Sequence, residues 1–130
     1  MKPKYPIYII SKGRGSRCLT ARELKAMNVE FYLVIEPQEF DDYKHITDNI
    51  LLLPFSNLGQ GSIPARNWVW QHSLENGFKR HWILDDNIEG FHRLNRNKKP
   101  KVTDGQIFIW AEEFTDRYEN VAISGFNYYS

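Results

Sequence analysis

Cysteine is nearly missing from this chain. Cys18 stands alone, so no internal disulfide can brace the fold, and a single thiol suits a reducing cytoplasm. An excess of charge is missing too. The 17 Lys and Arg against 16 Asp and Glu leave a net charge of +1, which excludes a general attraction to nucleic acid. No apolar stretch approaches the roughly 20 residues needed to span a bilayer, and the opening MKPKYPIYII is too short an apolar run for a signal peptide. Internal repeats, low-complexity tracts and linkers are absent as well. What is present is ordinary for a globular protein: 130 residues with 42% apolar, 25% charged and 15% aromatic content. That composition excludes disorder. At this length the expectation is one domain over residues 1–130 with one sizeable core.

Short apolar runs alternate with helical patterns. Residues 5–10 read as a buried strand stopped by the loop Ser11-Lys12-Gly13-Arg14-Gly15. Thr20 with Glu23 three residues on matches a capping box, predicting a short helix with Leu19, Ala26 and Met27 as apolar contacts. Residues 31–35 form a second strand, ended by Glu36-Pro37, and residues 38–44 a helical turn or two with Phe40 and Tyr43 at helical spacing. Residues 50–53 make a third strand, broken by Pro54. After a loop with two glycines, a helix begins at Ser62 with Ile63, Trp70 and Leu74 on one stripe and Gly77 as its stop. Residues 81–84 are a fourth strand and 91–94 a short one, with a basic turn to Lys101. Thr103 or Asp104 caps a helix carrying Ile107, Trp110, Phe114 and Tyr118 on one face, and residues 121–124 are a last strand. Strands that are apolar throughout belong to parallel sheets covered on both faces. The fold class is therefore α/β: a single three-layer α/β/α domain around a mostly parallel sheet.

In such sheets ligands bind beyond the carboxyl ends of the strands. The residues expected there are Ser11, Lys12, Gly13 and Arg14 after the first strand and Glu36 after the second. Ser56, Asn57, Gly59 and Gly61 follow the third, Asp85, Asp86 and Asn87 the fourth, and Gly125, Phe126 and Asn127 the last. Adjacent carboxylates repel one another unless a cation or donors lie between them. Hard cations take one or two carboxylates together with substrate phosphates. Asp and Asn also populate plain turns, and the residues alone leave both readings open. Gly59-Gln60-Gly61-Ser62 before a helix suits an anion, since backbone N–H groups point out of a helix start; it is equally an ordinary loop with a Ser cap. Arg66, one turn on, would add charge to a diphosphate, or would be a plain surface Arg. The four histidines lack metal-ligand spacing and read as structural. Cys18 reads as a small buried residue, and the tryptophans as core and helix-face residues.

The succession PIYIISKGR, FYLVIEPQEFDDYK, LGQGSIPARNWVW and HWILDDNIEGF resembles the nucleotide-sugar domain of glycosyltransferases with the GT-A fold. It is most similar to the TET-associated glycosyltransferase family, found largely in bacteriophages and connected with hydroxymethylated pyrimidines in DNA. The likeness covers roughly residues 5–127. The resemblance implies a metal-dependent enzyme that moves a sugar from a nucleoside-diphosphate sugar to an acceptor hydroxyl, in the cytoplasm of a bacterial or phage-infected cell. By the same resemblance Ser11, Arg14 and Glu36 hold the base and ribose, and Arg66 and Asn67 face the diphosphate or the donor sugar. Gly59 and Gly61 line the donor. Asp85, Asp86 and Asn87 stand for the DxD motif, with Asp85 also on the donor and all three around Mn²⁺ or Mg²⁺. Asn87 departs from the acidic residue many relatives carry there, which lowers the expected metal affinity. Enzymes of this fold continue past a strand like residues 121–124 into an acceptor-binding segment. Here the sequence stops at Ser130, and no residue stands out as the base for the acceptor hydroxyl. Two other functions fit the same residues: a nucleotidyltransferase on a related sheet, and a non-catalytic nucleotide-sugar-binding module.

Overall fold

The structure, a computed structural model, describes residues 2–92, 101–102 and 104–117. Strands β1 (Ile7–Ile10), β2 (Tyr32–Ile35), β3 (Ile50–Leu52) and β4 (Trp82–Leu84) form one sheet in the order β3-β2-β1-β4. Every pairing is parallel, with Ile9 opposite both Leu33 and Leu84, and Val34 opposite Leu51. Helix α1 (Leu19–Ala26) joins β1 to β2, and α2 (Phe40–Tyr43) follows β2 through a 3-10 turn at Pro37–Glu39. Helix α3 (Ile63–Glu75) joins β3 to β4. Strands β5 (Phe91–His92) and β6 (Lys101–Val102) pair antiparallel as a separate ribbon before α4 (Gln106–Asp116). Among the described residues no helix is long and apolar enough to cross a membrane.

Alternate strand residues point to opposite faces of a sheet, and the core divides accordingly. Ile7, Ile9, Leu33, Ile35 and Leu84 pack with Leu24, Tyr43 and Phe108 on one face. Tyr8 and Val34 pack with Ala65 and Val69 of α3 on the other, where Tyr32, Leu51, Trp68 and Ile83 close around them. Helices on both faces explain why these strands carry no polar alternation. The α/β layering expected from the sequence is the one observed.

Four details of the sequence reading need correction. On α3 the row Ile63, Trp70 and Leu74 faces away from the sheet, with Trp70 57% exposed. Ala65, Val69 and Ser73 face inward instead. Small residues four apart let the helix settle close over the large Tyr8 ring, whereas the bulky row would hold it off. Helix α4 is turned the same way: Phe108, Glu112 and Thr115 are buried, while Trp110 and Phe114 are exposed. The capping box of α1 does not form. Cys18 is the N-cap, without a side-chain cap bond; Thr20 lies inside the first turn and binds another loop, and the buried Glu23 pairs with Lys101 at 3.2 Å. Nor does Asp104 cap α4: Gly105 is the N-cap, without a side-chain cap bond, and Asp104 stands one residue earlier, its Oδ1 accepting from the Gln106 N–H at 3.0 Å. Thr103, the basic residues Arg93, Arg96, Lys98 and Lys99, Tyr118, the strand at 121–124, and Gly125, Phe126 and Asn127 lie outside the described residues.

At the amino end of the sheet an acidic pair on α4 fastens the chain entering β1. Glu112 is buried. It accepts from the backbone N–H of Lys4 at 2.6 Å and of Tyr5 at 2.9 Å, and from Trp82 Nε1 at 2.8 Å. One turn on, Asp116 accepts from the Tyr5 hydroxyl at 2.7 Å and pairs with Arg80 at 3.1 Å and Lys4 at 3.3 Å. Burial on its own would raise the Asp116 carboxyl, but the Tyr5 hydroxyl and the Lys4 ammonium outweigh it and hold it below its usual range. On the α3 face, the Tyr8 hydroxyl and His72 Nδ1 share a 2.7 Å hydrogen bond, and Trp68 stacks on the His72 ring. Burial there pushes the Tyr8 phenol up to about 12 and His81 below its usual value. His72 and His81 thus pack beside Tyr8, whereas His45 is exposed.

Two stability predictions follow from this layout. Glu112→Ala strands three donors at once and should cost about 3 kcal/mol, since each buried donor left without a partner costs about 1–3 kcal/mol; urea unfolding checks it, and a loss no larger than that of an exposed Glu113→Ala control would refute it. For His81, the folded state disfavours the proton. Above pH about 6.5, the unperturbed histidine value, neither state is protonated and the group contributes nothing to the pH slope. Below it the unfolded chain gains a proton that the folded chain resists, so stability falls as pH drops towards the folded-state value. The urea midpoint should therefore fall between pH 7.5 and 5.5 by more in the native chain than in His81→Leu.

Candidate functional site

The turn after β4 is held by the start of α1. Thr20 Oγ1 donates to the backbone carbonyl of Asp85 and accepts from the Ile88 N–H at 2.9 Å. The Thr20 N–H also reaches the Asp86 carbonyl at 3.4 Å. A fully buried threonine thus clasps both ends of the turn. This is where the residue read as half of a capping box has gone, and it fixes where Asp85 and Asp86 leave the sheet.

The two carboxylates then diverge. Asp86 turns inward, its side chain 15% exposed. It accepts from Ser11 Oγ at 2.6 Å and faces Arg14 Nε at 3.5 Å. Asp85 turns outward, its side chain 57% exposed, with Arg66 Nη2 of α3 at 3.6 Å. The repulsion anticipated between adjacent acids is thereby met by one arginine each. Arg66 is itself steadied by Ser62, whose Oγ accepts from Arg66 Nε at 3.1 Å. Ser62 occupies the N-cap position of α3 and makes no side-chain cap bond.

Other expected residues fall along the same edge. Gly59 and Gly61, ahead of α3, have φ of +70° and +66°, and a Cβ on either would meet no atom within 4 Å. Their backbone conformation therefore calls for glycine, and open space lies beside them. Asn67 and Asn87 are exposed. Glu36, after β2, is buried and braced by three donors: Gln38 Nε2 at 2.7 Å, the Asn57 N–H at 3.1 Å and Lys12 Nζ at 3.3 Å. The Gln38 bond foremost, then Asn57 and Lys12, hold its carboxyl below the usual range against the opposing effect of burial. Lys12 also reaches Asn57 Oδ1 at 3.1 Å, so the loops after β1, β2 and β3 share one polar cluster. Cys18 is buried nearby and burial pushes its thiol up, as fits an inert packing residue.

Sequence reasoning missed Thr20, Tyr43 and Gln38 as parts of this edge. For Tyr43 the helical spacing with Phe40 is a signal; what no spacing shows is that its hydroxyl meets the loop after β1. A groove of about 550 Å³ also runs along β4, which is an edge strand among the described residues. Trp70, Leu74, Ile83, Ala111 and Thr115 line it, and Arg66 joins it to the carboxylates.

The oxygen donors Asp85, Asp86 and Asn87 have the chemistry that Mg²⁺ or Mn²⁺ takes. Among the described residues, no three His, Cys, Asp or Glu side chains gather closely enough to hold an ion alone. Asp86 is engaged by Ser11 and Arg14, whereas Asp85 and Asn87 face solvent. This set fits a cation that completes its shell with phosphate oxygens of a bound ligand.

A family model described as TET-Associated Glycosyltransferase matches residues 5–130. Comparison with curated proteins and with solved structures gives no match.

The Thr20 clasp is open to test. Thr20→Val keeps the shape and removes both hydroxyl contacts, leaving the Ile88 N–H without its partner. It should cost about 2 kcal/mol, read by urea unfolding; a change under a third of that would show that the turn stands without the clasp.

Proposed function

Since the chain belongs to the TET-associated glycosyltransferase family, we propose that it transfers a sugar from a nucleoside diphosphate to an acceptor hydroxyl, with the donor lying across the carboxyl ends of β1, β2 and β4. The acceptor in this reading is a hydroxymethylated pyrimidine in DNA. One observation carries the proposal: Ser11 and Arg14 of the loop after β1 and Arg66 of α3, far apart in sequence, converge on Asp85 and Asp86.

Each group has a task in this chemistry. Ser11 and Arg14 face the nucleoside, with the cluster around Glu36 shaping the wall beside it. The Gly59-Gly61 loop gives the diphosphate close access to backbone N–H groups at the start of α3. Arg66 and Asn67 sit on that helix, where they meet the diphosphate or the sugar. During transfer the bond between the anomeric carbon and the diphosphate oxygen breaks, its electron pair goes to that oxygen, and the acceptor oxygen bonds to the carbon while its proton passes to water or to the departing diphosphate. Negative charge grows on the departing diphosphate, and guanidinium groups placed beforehand stabilise it. Asp85 and Asn87, with Asp86 behind them, would hold Mg²⁺ or Mn²⁺, which supplies further positive charge to the leaving group when bound.

The test is a thermal-shift panel with UDP-, GDP-, ADP- and dTDP-glucose, each with Mn²⁺, Mg²⁺ or EDTA. A donor at 100 times its dissociation constant adds about 2.7 kcal/mol of stability, which appears as a higher midpoint. The expected result is a metal-dependent rise with one of the four that disappears in Asp85→Ala, and nucleoside diphosphate among the reaction products. Release of pyrophosphate from a nucleoside triphosphate would instead identify a nucleotidyltransferase. A donor-induced rise without turnover would mark a binding module.

A further inference from the structure

Tyr43 is fully buried at the end of α2, yet its hydroxyl is spent on the loop after β1 rather than on its own helix. The phenol oxygen accepts from the Arg14 N–H at 2.8 Å and lies 2.7 Å from Ser11 Oγ. The direction of this second bond follows from counting hydrogens. Ser11 has one hydroxyl hydrogen, and it goes to the Asp86 carboxylate, which can only accept. The hydrogen between Tyr43 and Ser11 must therefore come from Tyr43. Burial pushes the Tyr43 phenol up, so that hydrogen is retained. The result is a one-way chain: the Arg14 N–H to Tyr43, Tyr43 to Ser11, Ser11 to Asp86. Hydrogen bonds arranged head to tail polarise and strengthen one another.

The same loop is pressed on α2 at a second point. A Cβ on Gly15 would lie 2.5 Å from the Asp42 carbonyl oxygen and 2.9 Å from the Asp42 Cβ. No side chain can enter there without moving backbone, so Gly15 marks a close approach of the loop to the residue beside Tyr43. Residues 11–15 are thus held from α2 at Tyr43 and Asp42 and, from the turn ahead of it, by Glu39, whose Oε1 accepts from the Gly13 N–H at 2.6 Å.

We propose that Tyr43 is a positioning residue for the donor nucleotide: its hydroxyl, through Ser11 and the Arg14 backbone, fixes the loop that meets the nucleoside. This rests on the donor reading above. It adds a residue that itself touches no ligand, and it predicts a selective effect. Without the hydroxyl, Ser11 can still donate to Asp86, so the carboxylate keeps its partner. What is lost is the anchor of the Arg14 N–H and the fixed orientation of Ser11. Donor affinity should weaken while the chemical step, which depends on the β4 turn and α3, stays close to normal.

The experiment compares wild type, Tyr43→Phe and Ser11→Ala with whichever of UDP-, GDP-, ADP- or dTDP-glucose the wild type binds. Dissociation constants come from calorimetry, and kcat and donor KM from turnover. Amide exchange at Arg14 is followed by mass spectrometry. Tyr43→Phe should raise the donor dissociation constant and KM about tenfold, corresponding to about 1.4 kcal/mol, with kcat within about threefold and faster exchange at Arg14. Ser11→Ala leaves the aromatic core whole and breaks the chain one link later. It too should weaken donor binding, and the double variant should be no worse than the poorer single one, because linked groups are not additive. A Tyr43→Phe chain that binds donor within about twofold of wild type, or additive losses in the double variant, would overturn this inference alone. A wild type that binds none of the four overturns the donor reading and this inference together.

Discussion

Two carboxylates placed side by side at the end of a buried strand must each be compensated, and the whole carboxyl edge of the sheet is arranged around that requirement. Like charges this close disfavour one another's ionised form unless donors or cations intervene. Asp86 meets the need by turning inward to Ser11 and Arg14, and Asp85 by turning outward to Arg66. Such divergence is possible only because the turn carrying them is held at both ends by Thr20. The first βα loop and the start of α3 are drawn in as the sources of those partners. Removing the acids would leave these loops with little reason to meet.

The opposite end of the sheet shows the same chemistry serving a different purpose. Glu112 and Asp116 are also acids in a row of the sequence pattern, and they too collect donors from distant segments: Lys4, Tyr5, Arg80 and Trp82. There, however, the donors of Glu112 are backbone N–H groups and an indole rather than long charged side chains. Such groups hold a chain in place and cannot be released to a ligand at small cost. At the carboxyl edge the charged partners are long, half-exposed arginines, joined on Asp86 by the Ser11 hydroxyl. The contrast separates a structural acid cluster from one suited to ligand exchange, and it does so from partner type and exposure rather than from the acids themselves.

The parts of this molecule legible in the sequence were those governed by local pattern. The strands Ile7–Ile10, Tyr32–Ile35, Ile50–Leu52 and Trp82–Leu84 announced themselves as short apolar runs, and their lack of alternation implied a covered parallel sheet. The rule that ligands bind beyond strand ends then brought Ser11, Glu36 and Asp85-Asp86 to one edge. Facing was not legible. On α3 the bulky row Ile63, Trp70, Leu74 looked like the buried stripe, while the true inner row, Ala65, Val69 and Ser73, is small and weakly apolar. Periodicity finds a stripe; it does not record the space the neighbouring sheet leaves for it. Thr20 misled for a related reason: its spacing to Glu23 satisfies a local rule, but a loop 65 residues away in sequence competes for its hydroxyl and wins. Long-range hydrogen bonds such as Tyr43 to Arg14 leave no trace in spacing at all.

The energetics of the arginine pairs bear on whether this edge can exchange partners. Both pairs are at the long end of ion-pair distance, 3.5 Å for Arg14 with Asp86 and 3.6 Å for Arg66 with Asp85, and both arginine side chains are nearly half exposed. Pairs of this kind are worth about 0–1 kcal/mol. A diphosphate offers a guanidinium two or more charged oxygens in a geometry that its planar fork matches. Moving Arg66 from a single exposed carboxylate to a diphosphate therefore costs little and gains a stronger partner. It also takes the arginine away from Asp85, and an exposed carboxylate without its arginine is a better ligand for a hard cation than one paired with it. Diphosphate and cation would in this way favour each other's binding, because each takes one member of the pair that the empty edge keeps together. That coupling requires no movement of the sheet and no rearrangement of the Thr20 clasp, only the rotation of two side chains that are already in solvent.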